Sequence, residues 1–273
     1  MTHHLDAFLN RLALEPAVLV TIERTRGSVP REPGAWMAVF AQGQVGTIGG
    51  GQLEWSILQR ARQQLAAGGT EAWEQSAVLG ASMGQCCGGS LVLRCEPLGV
   101  SDVQGLRQRL APSLVPVALF GGGHVGHAIV QALAPLPFAV HWIDSRDEVF
   151  PSGLPPHVRA DHSDPVQAAV RDLAPGAQVL VMSFSHAEDL DIVAACLQRQ
   201  RERADLPFVG LIGSRTKWAS FRHRLSERGF SDAELAHVTS PIGLPGIVDK
   251  APEVIAASVV AQLLLLRSGG GPA

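Results

Sequence analysis

The strongest constraint on the fold is a glycine-rich turn near the middle of the chain. The run GGGHVG, Gly121–Gly126, fits the pattern G-x-G-x-x-G. It directly follows the apolar, strand-like segment PVALF (116–120) and precedes a helical pattern. The next apolar run, FAVHWID, ends at Asp144, 21 residues after Gly123. This order of strand, turn, helix, strand and acid is typical of a Rossmann-type fold that binds nucleotides.

Each position in this pattern has a physical reason. Gly121 allows the tight turn, Gly123 lets a phosphate approach the backbone, and Gly126 permits close packing of helix on strand. The helix that begins near His124 offers free N–H groups and a partial positive charge to an anion. Asp144 is placed to accept hydrogen bonds from a ribose, and an acid there favours a 2′-hydroxyl over a 2′-phosphate.

Two observations leave alternatives open at this turn. Arg146 lies two residues after the acid, and a cation there favours a 2′-phosphate instead. The same pattern also occurs in a Rossmann scaffold whose site is empty or holds another anion. The sequence therefore predicts the turn more firmly than its ligand.

Periodicity divides the chain into two halves. Residues 1–100 read as a helix and mostly short strands, residues 101–115 as a linker, and residues 268–273 as a frayed tail. Residues 116–267 alternate apolar runs with helical patterns, which implies a parallel sheet covered on both faces. The predicted class is α/β, with an N-terminal mixed α+β domain followed by a Rossmann-like, doubly wound parallel-sheet domain.

Two further loops of the second half carry candidate site residues. The segment SFSHAED (183–189) ends a strand at the carboxyl edge of the sheet, where ligands bind. His186 can polarise or protonate a ligand there, whereas Ser185 is equally suited to capping the following helix. In GSRTKW (213–218), Ser214 and Arg215 form either a second anion contact or an ordinary helix cap.

The first half contains a second glycine run, TIGGGQLE. The consecutive Gly49, Gly50 and Gly51 are entropically costly, which indicates unusual backbone angles or close approach to a ligand. The helix that follows favours an anion at its N-terminus. Gln52 and Glu54 lie in its first turn, where Glu54 is either a carboxylate that complements the helix dipole or a ligand contact.

Two adjacent thiols lie between glycines in the loop GQCCGG. Cys86 and Cys87 can form a disulfide with each other only under strain, and no CxxC pair indicates a zinc site. Exposed thiols on a glycine loop suit contact with a soft metal, persulfide handling or redox sensing, and the alternative is two small buried residues. The segment HVRADHSD (157–164) mixes potential ligands without the spacing of a metal motif.

Composition excludes several function classes. Of the 273 residues, 22 are Lys or Arg and 25 are Asp or Glu, for a net charge of -3. That balance argues against a nucleic-acid partner and against an anionic membrane surface. No apolar stretch reaches the roughly 18 residues of a membrane span. The chain start lacks a signal-peptide pattern, and four Cys are too few for a disulfide framework, so we expect a cytoplasmic protein with free thiols.

Five ordered motifs extend over nearly the whole chain. They are TIGGGQLEW, GQCCGG, FGGGHVG followed by WIDSR, FVGLIGSRTK, and SPIGLPG with the following APEVIAASV. In this order and spacing they resemble the XdhC/CoxI family of xanthine dehydrogenase accessory proteins. The chain departs from many members of that family at Gln52, where they carry Cys. If the thiol at that position has a role in those members, this chain must either use Cys86 and Cys87 in its place or function without such a thiol.

The resemblance implies a chaperone for a metallocofactor rather than an enzyme. Such proteins bind the molybdenum cofactor, shelter it while a cysteine desulfurase replaces an oxo ligand by sulfido, and deliver it to apo xanthine dehydrogenase. The resemblance makes Cys86 and Cys87 candidate contacts of molybdenum. It makes Gly49–Glu54 the candidate for recognising the phosphate or pterin of molybdopterin. A homodimer is one option for the assembly.

Two other functions remain alternatives. One is an NAD-dependent oxidoreductase, which the glycine turn and Asp144 favour, with only His186 or His124 available as acid or base. The other is a nucleotide-regulated binding module, in which the Rossmann half senses NAD or another nucleotide and gates release from the first half. Turnover with NADH distinguishes the first alternative, and nucleotide binding without turnover the second.

Overall fold

The computed structural model describes residues 2–79 and 88–269. The chain divides into two compact units, with the boundary between Pro112 and Ser113. Among the described helices, none has both the length and the apolar character that crossing a membrane requires.

The first unit is built on a five-stranded antiparallel sheet in the order β3-β2-β1-β5-β4. Its strands are β1 (Ala17–Arg26), β2 (Trp36–Phe40), β3 (Gln44–Gly46), β4 (Trp73–Val78) and β5 (Ser90–Leu98). Its helices are α1 (Thr2–Leu12), α2 (Gly51–Ala66) and α3 (Val103–Arg109).

Helices cover both faces of this sheet. On one face, α2 packs through Leu53 and Ile57 against Val18 and Val20 of β1. On the other face, α1 and α3 pack against the alternate β1 residues, which include Leu19. Because β1 is buried on both sides, it reads as a continuous apolar run rather than as an alternating one.

The second unit is built on a six-stranded, wholly parallel sheet in the order β11-β10-β9-β6-β7-β8. Its strands are β6 (Val115–Phe120), β7 (Phe138–Asp144), β8 (Val158–His162), β9 (Gln178–Val181), β10 (Phe208–Leu211) and β11 (Val238–Thr239). Its helices are α4 (His124–Leu133), α5 (His186–Arg203), α6 (Arg215–Glu227), α7 (Asp232–Leu235) and α8 (Pro252–Arg267).

This strand order is that of a doubly wound Rossmann fold, as the sequence predicts. The helices α4 and α8 cover one face of the sheet, and α5 and α6 cover the other. The order reverses between β6 and β9, so a crevice opens there at the carboxyl ends of the strands, which is where such folds bind ligands.

Two segments differ from the sequence-based expectation. Residues 101–115, expected to be a linker, contain α3, and its Leu106 is buried in the core of the first unit beside Phe8. Residues 157–164, with their mixed potential ligands, contain the edge strand β8. The described residues hold no group of three or more metal-ligating side chains there or elsewhere.

Candidate functional site

The glycine turn after β6 has the geometry that its sequence indicates. Gly121 has φ +127°, and its N–H donates to Ile143 O while its carbonyl accepts from Trp142 Nε1 at 2.9 Å. A Cβ added at Gly126 would lie 2.1 Å from Gly121 O, so only glycine allows this helix–turn contact. The turn is therefore fixed by its own backbone packing.

The phosphate-facing part of the turn is open. An added Cβ at Gly123 would meet no atom within 4 Å, and Gly123 caps α4 without any side-chain hydrogen bond. His124 is the exposed first residue of α4. This arrangement leaves an uncapped helix N-terminus beside an accessible backbone, which suits an anion. Phosphate binding at Gly123 stays a prediction.

Asp144, the candidate ribose acceptor, is engaged by the chain itself. It is 1 % exposed, and its Oδ2 accepts from Gly122 N at 2.6 Å. The Arg146 guanidinium donates to both carboxylate oxygens, at 2.9 and 3.0 Å. Burial alone would raise the pKa of Asp144, but the hydrogen bonds from Arg146 and Gly122 outweigh it and lower the pKa. A ribose hydroxyl would have to displace Arg146, so the ribose contact stays a prediction.

Two contacts connect the loops after β7 and β9 across the crevice. Ser145 Oγ donates to Glu188 Oε1 at 2.7 Å, and the Arg146 guanidinium lies 4.4 Å above the ring of the exposed Phe184. The second oxygen of Glu188 is buried and accepts no hydrogen bond from the described residues. These contacts fill the side of the crevice beside Asp144 with the chain's own groups. Sequence patterns do not single out Glu188 because its partner is 43 residues away.

The other two loops at this edge contain helix caps. Ser185 Oγ accepts from Glu188 N, and Ser214 Oγ accepts from Lys217 N, each at 3.2 Å. The capping interpretation of both serines is therefore confirmed. His186 and Arg215 are exposed at the first positions of α5 and α6. Their roles as acid or anion contact stay predictions.

Lys217 stabilises the carboxyl edge of the parallel sheet through internal contacts and does not face solvent as a free cation. Its ammonium lies 2.6 Å from Asp189 Oδ2 and 2.9 Å from Ile212 O. The other oxygen of Asp189 accepts from the N–H and hydroxyl of Ser183 at 2.8 and 2.7 Å. This buried pair joins the loops after β9 and β10.

The glycine run of the first unit adopts a conformation that side chains rarely allow. Gly49, Gly50 and Gly51 have φ values of +125°, +76° and +73°. A Cβ at Gly49 would lie 2.6 Å from the ring of Pro30, whereas one at Gly50 would meet no atom of the described residues within 4 Å. The run therefore has the unusual backbone angles that three consecutive glycines indicate, whereas close approach to a ligand stays a prediction.

Glu54 organises this run from within the first turn of α2. Its Oε2 accepts from Thr47 Oγ1 at 2.5 Å and from the N–H groups of Ile48 and Gly50 at 3.0 Å. Its Oε1 accepts from Gln44 Nε2 at 2.9 Å. Burial raises the pKa of Glu54, but these hydrogen bonds outweigh burial and lower it below its ordinary value. Glu54 thus holds the loop in shape, which leaves ligand contacts to its neighbours.

We expect Glu54→Gln to weaken this loop in a pH-dependent way. The folded-state pKa of Glu54 is lowered, so its contribution is present above the ordinary value of 4.5 and is lost as the pH falls through the folded-state value. Because Glu54 is partly exposed, solvent screening limits the loss at pH 7 to about 1 kcal/mol. Urea unfolding at pH 7 and pH 3 measures it, with the exposed Glu71→Gln as control. An equal loss at both pH values contradicts this role.

Two exposed side chains flank the run on α2. Gln52 is exposed, and the Trp55 side chain is 62 % exposed one turn into the helix. The helix N-terminus at Gly50 has no side-chain cap. Trp55 is not among the site residues predicted from the sequence. The signal that could have found it is its position directly after Glu54: adjacent helical residues point in different directions, so Trp55 cannot share the side of α2 on which Glu54 faces the loop.

The thiols divide into two groups. Cys86 and Cys87 lie outside the described residues, so their contact with a metal stays a prediction. Cys95 and Cys196 are buried, and burial raises the pKa of each thiol to about 12. Neither is a thiolate near pH 7, so both pack in the core as small apolar side chains.

Comparison with known proteins covers both units. Residues 11–75 match the model of the XdhC and CoxI family, and residues 117–263 match the model of the XdhC Rossmann domain. An uncharacterized Escherichia coli protein, YqeB, is 30 % identical over 257 residues, which are 93 % of this chain and 44 % of YqeB. The chain thus spans less than half the length of this curated relative.

A solved structure agrees in fold. It is described as a xanthine dehydrogenase from Bacillus halodurans, and it superposes with a TM-score of 0.78 over 98 % of this chain and 96 % of that chain. At 20 % identity this likeness shows the fold alone. The two family matches together cover most of the chain, one in each unit. The chain belongs to the XdhC and CoxI family.

Proposed function

We propose that this protein acts in xanthine dehydrogenase maturation as a chaperone that binds the molybdenum cofactor. The observation that carries the proposal is family membership, which extends over both units. In this role the protein protects the cofactor, supports its sulfuration by a cysteine desulfurase and inserts it into apo xanthine dehydrogenase. A chaperone must release its cargo, so its site needs accessible groups rather than a closed catalytic constellation.

The glycine run of the first unit is the proposed contact for molybdopterin. The phosphate of molybdopterin suits the N-terminus of α2, where the space beside Gly50 is open, although the Gly50 N–H itself donates to Glu54. The side chain of Gln52 can hydrogen-bond the pterin edge, and the exposed indole of Trp55 can stack on a pterin ring. Glu54 supports this contact indirectly, because its carboxylate is occupied by the loop itself.

We expect the double variant Cys86→Ala, Cys87→Ala to retain less molybdenum cofactor while keeping the fold. Thiolates are good ligands for soft metals, and the dithiolene–molybdenum centre is the soft part of this cargo. Molybdenum and pterin retained per protein after gel filtration measure the effect, and the buried-cysteine variant Cys196→Ala is the control. Unchanged retention in the double variant contradicts the proposed metal contact.

A nucleotide-regulated binding module is the second candidate for the Rossmann unit. One observation favours it: the turn at Gly123 is open to a phosphate. The residues that would bind the adenosine ribose of NAD do not fit it in this conformation. The Arg146 guanidinium already donates to both oxygens of the Asp144 carboxylate and stacks on the ring of Phe184. This arrangement favours a binding module that holds its ligand by the phosphate over an oxidoreductase that transfers hydride with NAD. Isothermal titration with pyrophosphate, ADP and NAD tests it, and absence of binding by all three contradicts it.

A further inference from the structure

A cavity of about 370 Å³ lies in the second unit, away from the carboxyl edge of its sheet. Its floor consists of small side chains from β6 and β7, among them Ala118 and Ala139, and Leu173 and Ala177 form one wall. His141 and Arg159 lie at its polar side. The crevice beside the glycine turn contributes none of these residues, so this cavity is a separate feature.

The cavity exists because the crossover between β8 and β9 is short. In place of a long helix it contains a 3-10 helix over Val166–Asp172, which packs near the carboxyl ends of the strands against Phe120 and Ile143. The amino-terminal halves of β6 and β7 are therefore less covered on this face: Ala118 is buried, but Pro116 and Ala139 remain partly exposed. Parallel sheets are normally covered on both faces, so a partly exposed apolar surface at this position is available to an occupant.

The polar side of the cavity follows from strand register. Ala118, His141 and Arg159 are direct neighbours across β6, β7 and β8, and side chains paired in this way share one face. Asp161 Oδ2 lies 2.7 Å from His141 Nε2 and 2.6 Å from Arg159 Nη2. The sheet thus presents one compact polar cluster beside an apolar floor.

The charges at this cavity balance. Arg159 pairs with Asp161, and Asp172 pairs with Arg171 at 3.1 Å. Burial lowers the pKa of His141, which keeps its imidazole neutral near pH 7. An ionised ligand would find no unmatched countercharge among these groups, whereas an uncharged ligand with a polar edge would find both donors and acceptors.

We propose that this cavity binds a small uncharged heteroaromatic molecule of about bicyclic size, with its ring on the alanine floor and its polar edge at the His141–Asp161–Arg159 cluster. The volume lies within the usual range for small-molecule sites, and the mixture of an apolar lining with a few convergent polar groups is typical of them. This site is independent of the proposed cofactor loop and of the glycine turn.

Indole is a suitable probe because it is uncharged, bicyclic and carries one N–H donor. Saturation-transfer NMR with the full-length protein should show binding at millimolar indole. We expect Ala139→Leu, which fills the floor, to weaken the affinity at least about tenfold. Ala257→Leu, at an exposed position of α8, should leave it unchanged. Circular dichroism checks that each variant is folded.

A second variant and a second probe separate the alternatives. The Arg159 side chain is 66 % exposed although it pairs with Asp161, so the Arg159→Gln protein should remain folded. Its binding of indole should weaken several-fold. Indole-3-acetate should bind more weakly than indole, because the cavity offers no unmatched cation. No binding of indole, equal binding by the Ala139→Leu protein, or tighter binding of the carboxylate would each overturn the proposal.

Discussion

Replacing Gly126 with alanine is expected to lower the free energy of unfolding of the second unit by about 3 kcal/mol. The added Cβ would lie 2.1 Å from Gly121 O, and the atom it meets is backbone rather than a flexible side chain. That carbonyl also accepts the indole N–H of Trp142, so moving it breaks a buried hydrogen bond. Urea unfolding followed by far-UV circular dichroism measures the shift of the transition.

Gly123→Ala is the matched control, three residues away in the same turn. Its backbone has φ -80°, and an added Cβ would meet no atom within 4 Å. Its stability should stay within about 0.5 kcal/mol of the unmodified protein, whereas any phosphate bound at the turn should bind more weakly. Equal stability of the Gly126→Ala and Gly123→Ala proteins would contradict the packing role of Gly126.

Lys217→Met is expected to cost about 3 kcal/mol because it leaves a buried carboxylate without its countercharge. The side chain of Asp189 is 3 % exposed, and that of Lys217 is 11 % exposed. After the substitution, the Asp189 carboxylate retains, from the part of the chain that the structure describes, only the hydrogen bonds from Ser183. The same urea assay measures this loss.

The control for this pair is an ion pair in solvent. Arg171 and Asp172 lie 3.1 Å apart, with both side chains largely exposed, so Arg171→Met should change the stability by less than about 0.5 kcal/mol. A loss of similar size in both variants would contradict the assignment of Lys217 to the internal support of this edge.

The parts of the fold that follow from the sequence are those with local signals. The Rossmann unit is predictable because the turn at Gly121–Gly126 and the apolar strands that are buried on both faces leave strong patterns. The edge strand β8 is hard to predict, since its sequence VRADH is short, charged and only partly buried. The helix α3 has a weak helical pattern because it is seven residues long and buries only Leu106.

The candidate site shows the same division between local and distant contacts. The caps at Ser185 and Ser214 are predictable because a capping serine bonds to an N–H three residues ahead. The Ser145–Glu188 and Lys217–Asp189 contacts join residues 43 and 28 positions apart, and no periodicity encodes such a pairing. The Asp144–Arg146 contact is local, but the glycine pattern does not specify which way the Arg146 side chain turns, so the pattern alone does not predict this pair.

Anaerobic binding of the molybdenum cofactor to the purified protein is the decisive test of the proposed chaperone function. After gel filtration, molybdenum is measured by mass spectrometry and the pterin by fluorescence of its oxidised form. We expect both to coelute with the protein at close to one per chain, and to pass to apo xanthine dehydrogenase when it is added. Absence of both from the protein peak, with a nucleotide alone raising the melting temperature, would contradict it.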